Sequence, residues 1–553
     1  MYSSEPLPHF VDDYLAYLHE VQPTTATFDG VHTHDDLVED YSRPAIDAHL
    51  RELGSFGRRL DAINADTLSP SEKIERPVLE SHIRGRLYDL EEVRTWERNP
   101  QVYVETLALG LAAQALFAYA PAEERARRVL SKLRQVPRVL QSARANVKEP
   151  AGIFVKTALE TLKGVQGFID RDLPRAFAAV DDLSILGDLA DASTEASAAV
   201  ADYARHLEEE VAPKARGSFR LGRQRFETKL KFEEGIDLAS DKLLAIGLRE
   251  LNATQEEFRK VAAKIDKGDA IDVWRRVKLD HPAPGALVQT AQEQVDELAR
   301  FIQRHGVVTM PDCEPLVVGP TPQFYRWTFA SLWTPGAFES KPLRSYYYLT
   351  DVDPAWTSER QEEHLRDFST AVLWSISIHE AYPGHFLHLQ RVRQVESKLR
   401  KSVLFAPMSL VEGWAHYSEH MMFEQGFARR DAARRLGQLA EALIRLARLV
   451  VGIRLHTEDL SVEQGVRFFR DEAYLEEAAA RREAERGTFD PSYVVYALGK
   501  LMLLKLRADV QELQGDAFSI KEFHDRVVGG GFAPFWVLRR WFLGDRAAGP
   551  QIA

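Results

Sequence analysis

Apolar residues recur along most of the chain with the spacing of a helix that buries one face. The clearest stripe contains Leu436, Leu439, Ala440, Leu443, Leu446, Ala447 and Val450. Intervals of three and four residues place these side chains on one side of an α-helix. Similar patterns over 123–145 and 176–211, rich in Ala, Leu, Arg and Glu, predict further helices. We expect these stripes to form core.

Two stretches depart from the helical pattern. Residues 218–232 have short alternating runs around Gly222, which predicts a hairpin or a turn. Residues 313–353 are rich in Pro, Gly and aromatic residues, and 344–350 has the composition of a short strand. The predicted fold class is therefore mainly α with a small β element. We place a boundary at about residue 215, between an N-terminal helical lobe (1–215) and a second lobe (216–553), with one continuous domain as the alternative.

Composition and charge narrow the function classes. The 553 residues are 45% hydrophobic and carry a net charge of −12, which argues against a general nucleic-acid binder. The single cysteine, Cys313, excludes a disulfide framework within the chain and a Cys-rich zinc site. The N-terminal residues show no long apolar run, so we expect a cytoplasmic protein without a membrane partner.

The residues with the strongest chemical signal lie at 376–388, which read ISIHEAYPGHFLH. His379 and Glu380 resemble the start of a helical H-E-x-x-H zinc site, but the next histidine, His385, is six positions on instead of four. Pro383 cannot continue a helix, and Gly384 accepts backbone geometries barred to other residues. A Pro-Gly bulge could therefore return His385 to the side of His379. The alternative is that the helix ends near Tyr382 and the two histidines are unrelated.

A second helix is predicted to begin near 407–409 and to stop near Gly426. Its residues Glu412, His416 and Glu419 share one face. With His379 and His385, Glu412 would complete a two-His, one-Glu set that leaves a fourth zinc position open for water. Glu419 is better suited to orient a ligand than to bind the metal.

Three other histidines compete for this role. His416 and His420, four residues apart, could form a rival pair, and His388 follows His385 by three residues. The sequence leaves these alternatives open.

The combination of His-Glu-Ala-Tyr-Pro-Gly-His (379–385) with Glu-Gly-Trp-Ala-His-Tyr-Ser-Glu (412–419) resembles the bacterial domain-of-unknown-function family 885. The resemblance extends over nearly the whole chain, including 23–36, Tyr496-Ala-Leu-Gly499 and Leu506-Arg507. That family is similar in fold to the helical zinc peptidases of the gluzincin type, which have a long cleft between two helical lobes.

The resemblance implies a role for each matching residue. His379, His385 and Glu412 would bind one Zn²⁺ per chain, and Glu380 would be the catalytic carboxylate. His456 stands where the family has a histidine near the end of a long helix, but Gly452 and Arg454 replace the usual Asp and Gly of Asp-x-Gly-Ile-His.

The predicted chemistry is hydrolysis of an amide bond. Zinc would acidify a bound water, and Glu380 would act first as general base and then as general acid. Tyr496, or else His456, would stabilise the developing oxyanion, although a buried tyrosine in an apolar helix is more often only core. Arg507 could hold a substrate carboxylate or an internal Glu. The strand at 346–349, with Tyr347, could add an extended peptide to a sheet edge.

The sequence favours a peptidase acting on short peptides. A metal-dependent amidase acting on a non-peptide conjugate, and a helical metal-binding protein without turnover, are the alternatives. The substrate, exo- or endopeptidase action, the choice between zinc and another divalent ion, and the oligomeric state are not specified by these patterns.

Overall fold

The computed structural model describes residues 5–322, 326 and 329–552, and these residues are mainly helical. They form two compact units. The first contains residues up to Leu221 together with Pro335–Leu343 and Ser402–Phe405, and the second contains Gly222–Thr334, Arg344–Lys401 and the residues from Ala406 onward. None of the described helices has the length and apolar character needed to span a bilayer.

Short connections join the helices of the first unit. Their bounds are α1 (Leu7–Val21), α2 (Pro23–Asp29), α3 (Arg43–Ala62), α4 (Glu72–Tyr88), α5 (Thr95–Arg98), α6 (Gln101–Leu116), α7 (Ala122–Leu133), α8 (Val136–Asn146), α9 (Gly152–Gly167), α10 (Leu173–Ala176) and α11 (Leu183–His206). The predicted helix over 123–145 is two helices, α7 and α8. Pro137 explains the break, because its ring would clash with the carbonyl of Leu133 in a continuous helix.

The second unit contains the longest helices. Their bounds are α12 (Arg223–Glu234), α13 (Ser240–Ile265), α14 (Ala270–Val277), α15 (Leu287–His305), α16 (Ser358–Asp367), α17 (Thr370–Glu380), α18 (His385–Val392), α19 (Lys398–Lys401), α20 (Met408–Glu424), α21 (Ala432–Thr457), α22 (Val462–Glu472), α23 (Glu477–Phe489), α24 (Val495–Gln514), α25 (Ile520–Val528) and α26 (Phe535–Leu543). Helix α21 carries the predicted apolar stripe, and all seven of its residues are buried, as expected. It packs against α13 and α17, while α20 packs against α24.

The hairpin predicted over 218–232 is wrong. Gly222 has a positive φ of 78° and directly precedes α12, so it marks the start of a helix instead of the turn between two strands. Residues 223–234 include Gln, Lys, Leu and Glu, which favour a helix, and Phe226 and Leu230 bury the same face four residues apart.

The small β element is a three-stranded sheet in the order β1-β3-β2, formed by β1 (Val317–Pro320), β2 (Ala330–Trp333) and β3 (Tyr346–Leu349). Strand β3 pairs in parallel with β1 and antiparallel with β2. The strand predicted at 346–349 is thus present, but it lies in the centre of the sheet.

Candidate metal centre

His379 and His385 are brought together by a sharp turn between α17 and α18. Helix α17 ends at Glu380, and the chain then folds back so that the Gly384 N–H donates to the carbonyl of Ile378 at 3.0 Å. A Cβ on Gly384 would lie 1.9 Å from the His379 carbonyl oxygen, so only glycine fits. The Tyr382–Pro383 peptide is cis. As the Pro-Gly pair predicts, the two imidazole rings meet, with centroids 4.6 Å apart.

A buried tryptophan holds this turn against α20. The indole N–H of Trp414 donates to the carbonyl of Pro383 at 2.8 Å, and Trp414 itself is fully buried. Helix α20 therefore positions the turn as well as supplying an acidic side chain. Sequence reasoning missed Trp414, although its place two residues after Glu412 in the 412–419 motif was a signal.

Glu412 faces both histidines. Its Oε2 lies 3.3 Å from His379 Nε2 and 3.4 Å from His385 Nε2, and it accepts no hydrogen bond. Burial would raise the pKa of Glu412, but the two imidazoles outweigh it and hold that pKa well below its usual range. The carboxylate is therefore ionised.

The distances from Glu412 Oε2 to the two histidine nitrogens fit a zinc ion. Ligands about 2.0–2.1 Å from zinc at tetrahedral angles lie about 3.3–3.4 Å from one another. Both His–Glu separations fall in this range. Two imidazole nitrogens and a carboxylate oxygen are also the donor set of catalytic zinc, which leaves one position open. The cluster of His379, His385 and Glu412 thus has both the chemistry and the spacing to bind the metal.

Glu419 orients His379 from the opposite side of the ring. Its Oε1 accepts from His379 Nδ1 at 2.8 Å, and this contact leaves Nε2 of the same ring facing Glu412. Burial would raise the pKa of Glu419, but Arg445 and the adjacent imidazoles hold it well below the usual range. Arg445, on α21, lies 3.4 Å from Glu419 and also pairs with Glu441. The sequence analysis missed Arg445, whose only signal was an arginine next to the apolar stripe of a buried helix.

Helices α20 and α24 touch through two glycines. A Cβ on Gly413 would lie 2.6 Å from the backbone of Gly499, and one on Gly499 would lie 1.8 Å from the carbonyl oxygen of Ser409. Tyr496 lies one turn before Gly499, so the negative charge of Glu412 affects the ionisation of its hydroxyl. Burial and this carboxylate raise the pKa of Tyr496 to about 12, so its hydroxyl keeps its proton. Arg486 is 3.4 Å from that hydroxyl.

Glu380 lies at the end of α17, beside the ligands but outside the ligand cluster. Its side chain is partly exposed, and it is not among the three residues whose ligand atoms converge. Its negative charge helps to raise the pKa values of His379 and Tyr347.

Tyr347 does not lie at a sheet edge. Its strand is the central one, so its backbone already pairs with Val318 and Leu332. Its side chain is fully buried, with the hydroxyl 3.4 Å from Ser377 Oγ. The expectation that this strand adds a peptide is therefore wrong, because both of its edges are used within the sheet.

Arg507 is engaged by an internal acid. Its guanidinium makes two bonds to Glu424, at 2.7 and 3.1 Å, and a third to the hydroxyl of Tyr417 at 2.9 Å. Of the two possibilities left open by the sequence, the structure shows the internal pair.

His456 is buried and hydrogen-bonded to the backbone. Its Nε2 donates to the carbonyl of Gly487 at 2.8 Å, and its ring stacks on Phe226. With its Nε2 proton given to a carbonyl, this nitrogen is not available to an oxyanion. The position of His456 thus favours Tyr496 between the two candidates.

The competing histidines lie outside the three-ligand cluster. His388 is buried against Trp414 and Phe532, and burial lowers its pKa to about 4. His416 lies 3.5 Å from Glu419, and His420 bonds to Glu424. Within 5–322, 326 and 329–552, neither His416 nor His420 belongs to a group of three potential metal ligands.

Comparison with known proteins gives a family and a fold. The family described as "Bacterial protein of unknown function (DUF885)" matches residues 23–541. A "putative lipoprotein of unknown function" from Shewanella oneidensis has a similar structure, with 23% identity, a TM-score of 0.81, and coverage of 98% of this chain and 100% of its own. The "putative lipoprotein" from Colwellia psychrerythraea gives 19% identity and a TM-score of 0.82, over 96% and 97% of the two chains. No curated protein matches significantly.

Proposed function

The chain belongs to the bacterial DUF885 family, as its two central motifs indicate, and we propose that it is a zinc-dependent hydrolase of amide bonds. The observation that carries the proposal is the convergence of His379, His385 and Glu412, in which both histidine nitrogens lie at the spacing of tetrahedral zinc ligands from Glu412 Oε2. A carboxylate, Glu380, lies next to this set without belonging to it.

Zinc would be held by His379, His385 and Glu412. A bound zinc ion supplies a Lewis acid that acidifies water and polarises a carbonyl. Glu380 takes a proton from the attacking water and returns it to the leaving nitrogen. Glu419 keeps His379 in the tautomer whose Nε2 is a ligand.

Tyr496 is the proposed oxyanion donor. Its high pKa means that the hydroxyl remains a proton donor at any physiological pH. It lies near Glu412, on the helix that touches α20 through Gly499. A donor fixed in advance at the position where charge develops is an effective way to lower a barrier.

Short peptides are the proposed substrates. This step rests on the similarity in fold between the family and the helical zinc peptidases of the gluzincin type, which the sequence motifs imply. A non-peptide amide would use the same residues, so an amidase differs only in what surrounds the scissile bond. The cytoplasmic location stays a prediction, since two structural neighbours carry the word lipoprotein in their names.

The first experiment measures metal content. Wild type, His379→Ala and His385→Ala are purified without added metal and analysed for bound elements, then again after incubation with Zn²⁺. We expect about one zinc per wild-type chain and a large loss in both variants. Lys505→Met, on the surface of α24 and paired with Asp509, is the control that should keep the metal. A wild-type chain that stays empty in excess zinc contradicts the proposal.

The second experiment separates turnover from metal binding. Glu380→Gln keeps the shape of the side chain but removes the base, so we expect hydrolysis of a responsive peptide from a library to fall about 10²–10⁴-fold. Zinc content should not change. Equal activity of the variant and wild type would remove Glu380 from the mechanism, and absence of any hydrolysis across peptide and amide libraries would favour a metal-binding protein without turnover.

A further inference from the structure

A cavity lies beside Glu419. It has a volume of about 160 Å³ and is lined by residues of α13, α20, α21 and α24, all in the second unit. His416 lines this cavity and also lies 3.5 Å from Glu419, whose same oxygen accepts from His379. Because Glu419 Oε1 contacts both histidines, the cavity is separated from the metal ligands by a single carboxylate.

Most charged side chains around the cavity have internal partners. Arg435 bonds to Glu257 at 2.6 Å, and its other terminal nitrogen donates to Gln438 Oε1. Glu250 pairs with Arg249 at 3.0 Å. These pairs neutralise one another at the wall and the rim of the cavity, so they leave little net charge for a ligand.

Lys500 is the exception. It lines the cavity from α24, and no ion pair or hydrogen bond of its ammonium group is found among the described residues. Burial lowers the pKa of Lys500 to about 8, a value at which the amine is still mostly protonated at neutral pH. Lys500 is partly exposed, and the charges of Glu419 and Glu250 act on it in the opposite direction to burial, so the amine presents a cationic donor to the cavity.

Gln438 adds a second unsatisfied donor. Its side chain is fully buried in the cavity wall, and its Nε2 has no acceptor among the residues that the structure describes. Arg435 donates to its oxygen, which fixes the orientation of the amide and assigns the nitrogen as the free group. Leu439, Ala442 and Leu446 supply an apolar lining beside these donors.

We propose that this cavity is a binding site for a small oxyanion, a carboxylate or a phosphate, held by Lys500 and Gln438. One ammonium and one amide donor line a small cavity whose wall is about equally polar and apolar, and charged and amide donors of this kind bind carboxylates and phosphates. A cation is disfavoured there, because Lys500 carries the unpaired charge. The site is independent of the proposed hydrolysis, since none of its donors belongs to the zinc ligand set.

The test is calorimetric titration of the full chain with inorganic phosphate and, separately, with succinate, at ionic strength matched with NaCl. We expect saturable binding of at least one anion. Phosphate alone would indicate a phosphoryl ligand, and succinate alone a carboxylate ligand. Lys500→Met should weaken the affinity at least 10-fold, while Lys500→Arg keeps the charge and should retain most of it. Lys505→Met removes a lysine of the same helix that is already paired, and should leave the affinity unchanged.

Two further variants locate the bound anion. Gln438→Leu removes only the neutral donor, and we expect about a 3–10-fold loss; it also serves if Lys500→Met does not fold. His385→Ala should bind the anion as wild type does, because it removes a metal ligand that pairs with Glu412, while Glu419 beside the cavity keeps its bond to His379. Loss of binding in His385→Ala would place the anion on the metal, and wild-type affinity in both Lys500→Met and Gln438→Leu, or no saturable binding of either anion, would overturn the proposal.

Discussion

Two histidine–carboxylate clusters in this chain use the same kinds of residue in opposite ways. In the first unit, His32 donates from Nδ1 to Asp35 at 2.8 Å and from Nε2 to Glu339 at 2.9 Å. In the second unit, His379 has a carboxylate on Nδ1, but its Nε2 and that of His385 both face a single oxygen of Glu412 at 3.3 and 3.4 Å. Each ring nitrogen of His32 thus has its own carboxylate, whereas in the second cluster two imidazoles share one carboxylate oxygen.

The difference lies in how the imidazole nitrogens share the carboxylate oxygens. His32 has one carboxylate for each ring nitrogen, and those carboxylates raise its pKa to about 9 even though burial acts in the opposite direction. Asp35 also accepts from Arg128 at 2.6 Å, so its charge is fully compensated. Glu412 Oε2 has no hydrogen bond at all. A cluster of ligand-type residues therefore fits a metal when two imidazole nitrogens converge on one carboxylate oxygen, and fits a structural ion pair when each nitrogen of a single imidazole has its own carboxylate.

The largest expected effect comes from exchanging a carboxylate for an amide in each cluster. Glu412→Gln removes the only anionic ligand, so zinc affinity should fall by at least about 100-fold, more than is typical for residues behind the ligands. Glu339→Gln should leave zinc affinity unchanged and instead lower the free energy of unfolding by about 1.5–3 kcal/mol, because a charge-assisted hydrogen bond is lost. Zinc titration and urea unfolding of both variants measure the two effects. Loss of zinc in Glu339→Gln would show that the comparison is wrong.

A smaller loss of zinc affinity is expected from a change at Glu419. Glu419 gives His379 Nδ1 the same kind of partner that Asp35 gives His32. Glu419→Gln can still accept from that nitrogen, but it no longer stabilises the imidazole electrostatically. We expect zinc affinity to fall about 10–100-fold in a competition assay with a chelator. If the variant binds zinc as tightly as wild type, Glu419 has only a structural role.

The smallest expected effect is a dependence of the unfolding free energy on pH, caused by the titration of His32. The pKa of His32 is about 9 in the folded state and 6.5 in its ordinary state, so protonation stabilises the fold. This contribution is complete below pH 6.5, declines as the pH rises, and is lost above about pH 9. We expect the unfolding free energy of wild type, relative to His32→Asn, to drop by about 1–3 kcal/mol across this window. Urea titrations at several pH values measure it, and a difference that stays constant from pH 6 to 10 would contradict the assigned pairing.

The local parts of the metal centre were predictable from sequence. Pro383 cannot continue a helix and Gly384 permits a close turn, so the six-residue spacing of the histidines could be converted into a contact before the fold was known. The bounds of α20 followed from Pro407 and Gly426, which placed Glu412 and Glu419 on one face. These inferences succeeded because they depend on residues a few positions apart.

The remaining parts depend on distant residues. His32 and Glu339 are 307 positions apart, and nothing near either residue predicts the pair. Whether β3 is a central or an edge strand depends on β1 and β2, so its own sequence could not exclude the peptide-binding role. At 218–232 the Gly222 signal was real but ambiguous, because a glycine with positive φ precedes helices as well as turns. Arg445 contacts Glu419 on another helix, and Lys500 lines a cavity formed by four helices, so the sequence next to these residues does not reveal their roles.

The contact between Gly413 and Gly499 has a consequence for mutational scanning. In a library covering every substitution, two positions without a side chain should rank with the zinc ligands in sensitivity, because even a methyl group meets backbone atoms within 2.6 Å. Gly413 directly follows Glu412, and Gly499 lies between Tyr496 and Lys500. Selecting such a library separately for zinc retention and for oxyanion retention would therefore return these same two glycines in both lists, although neither touches a ligand.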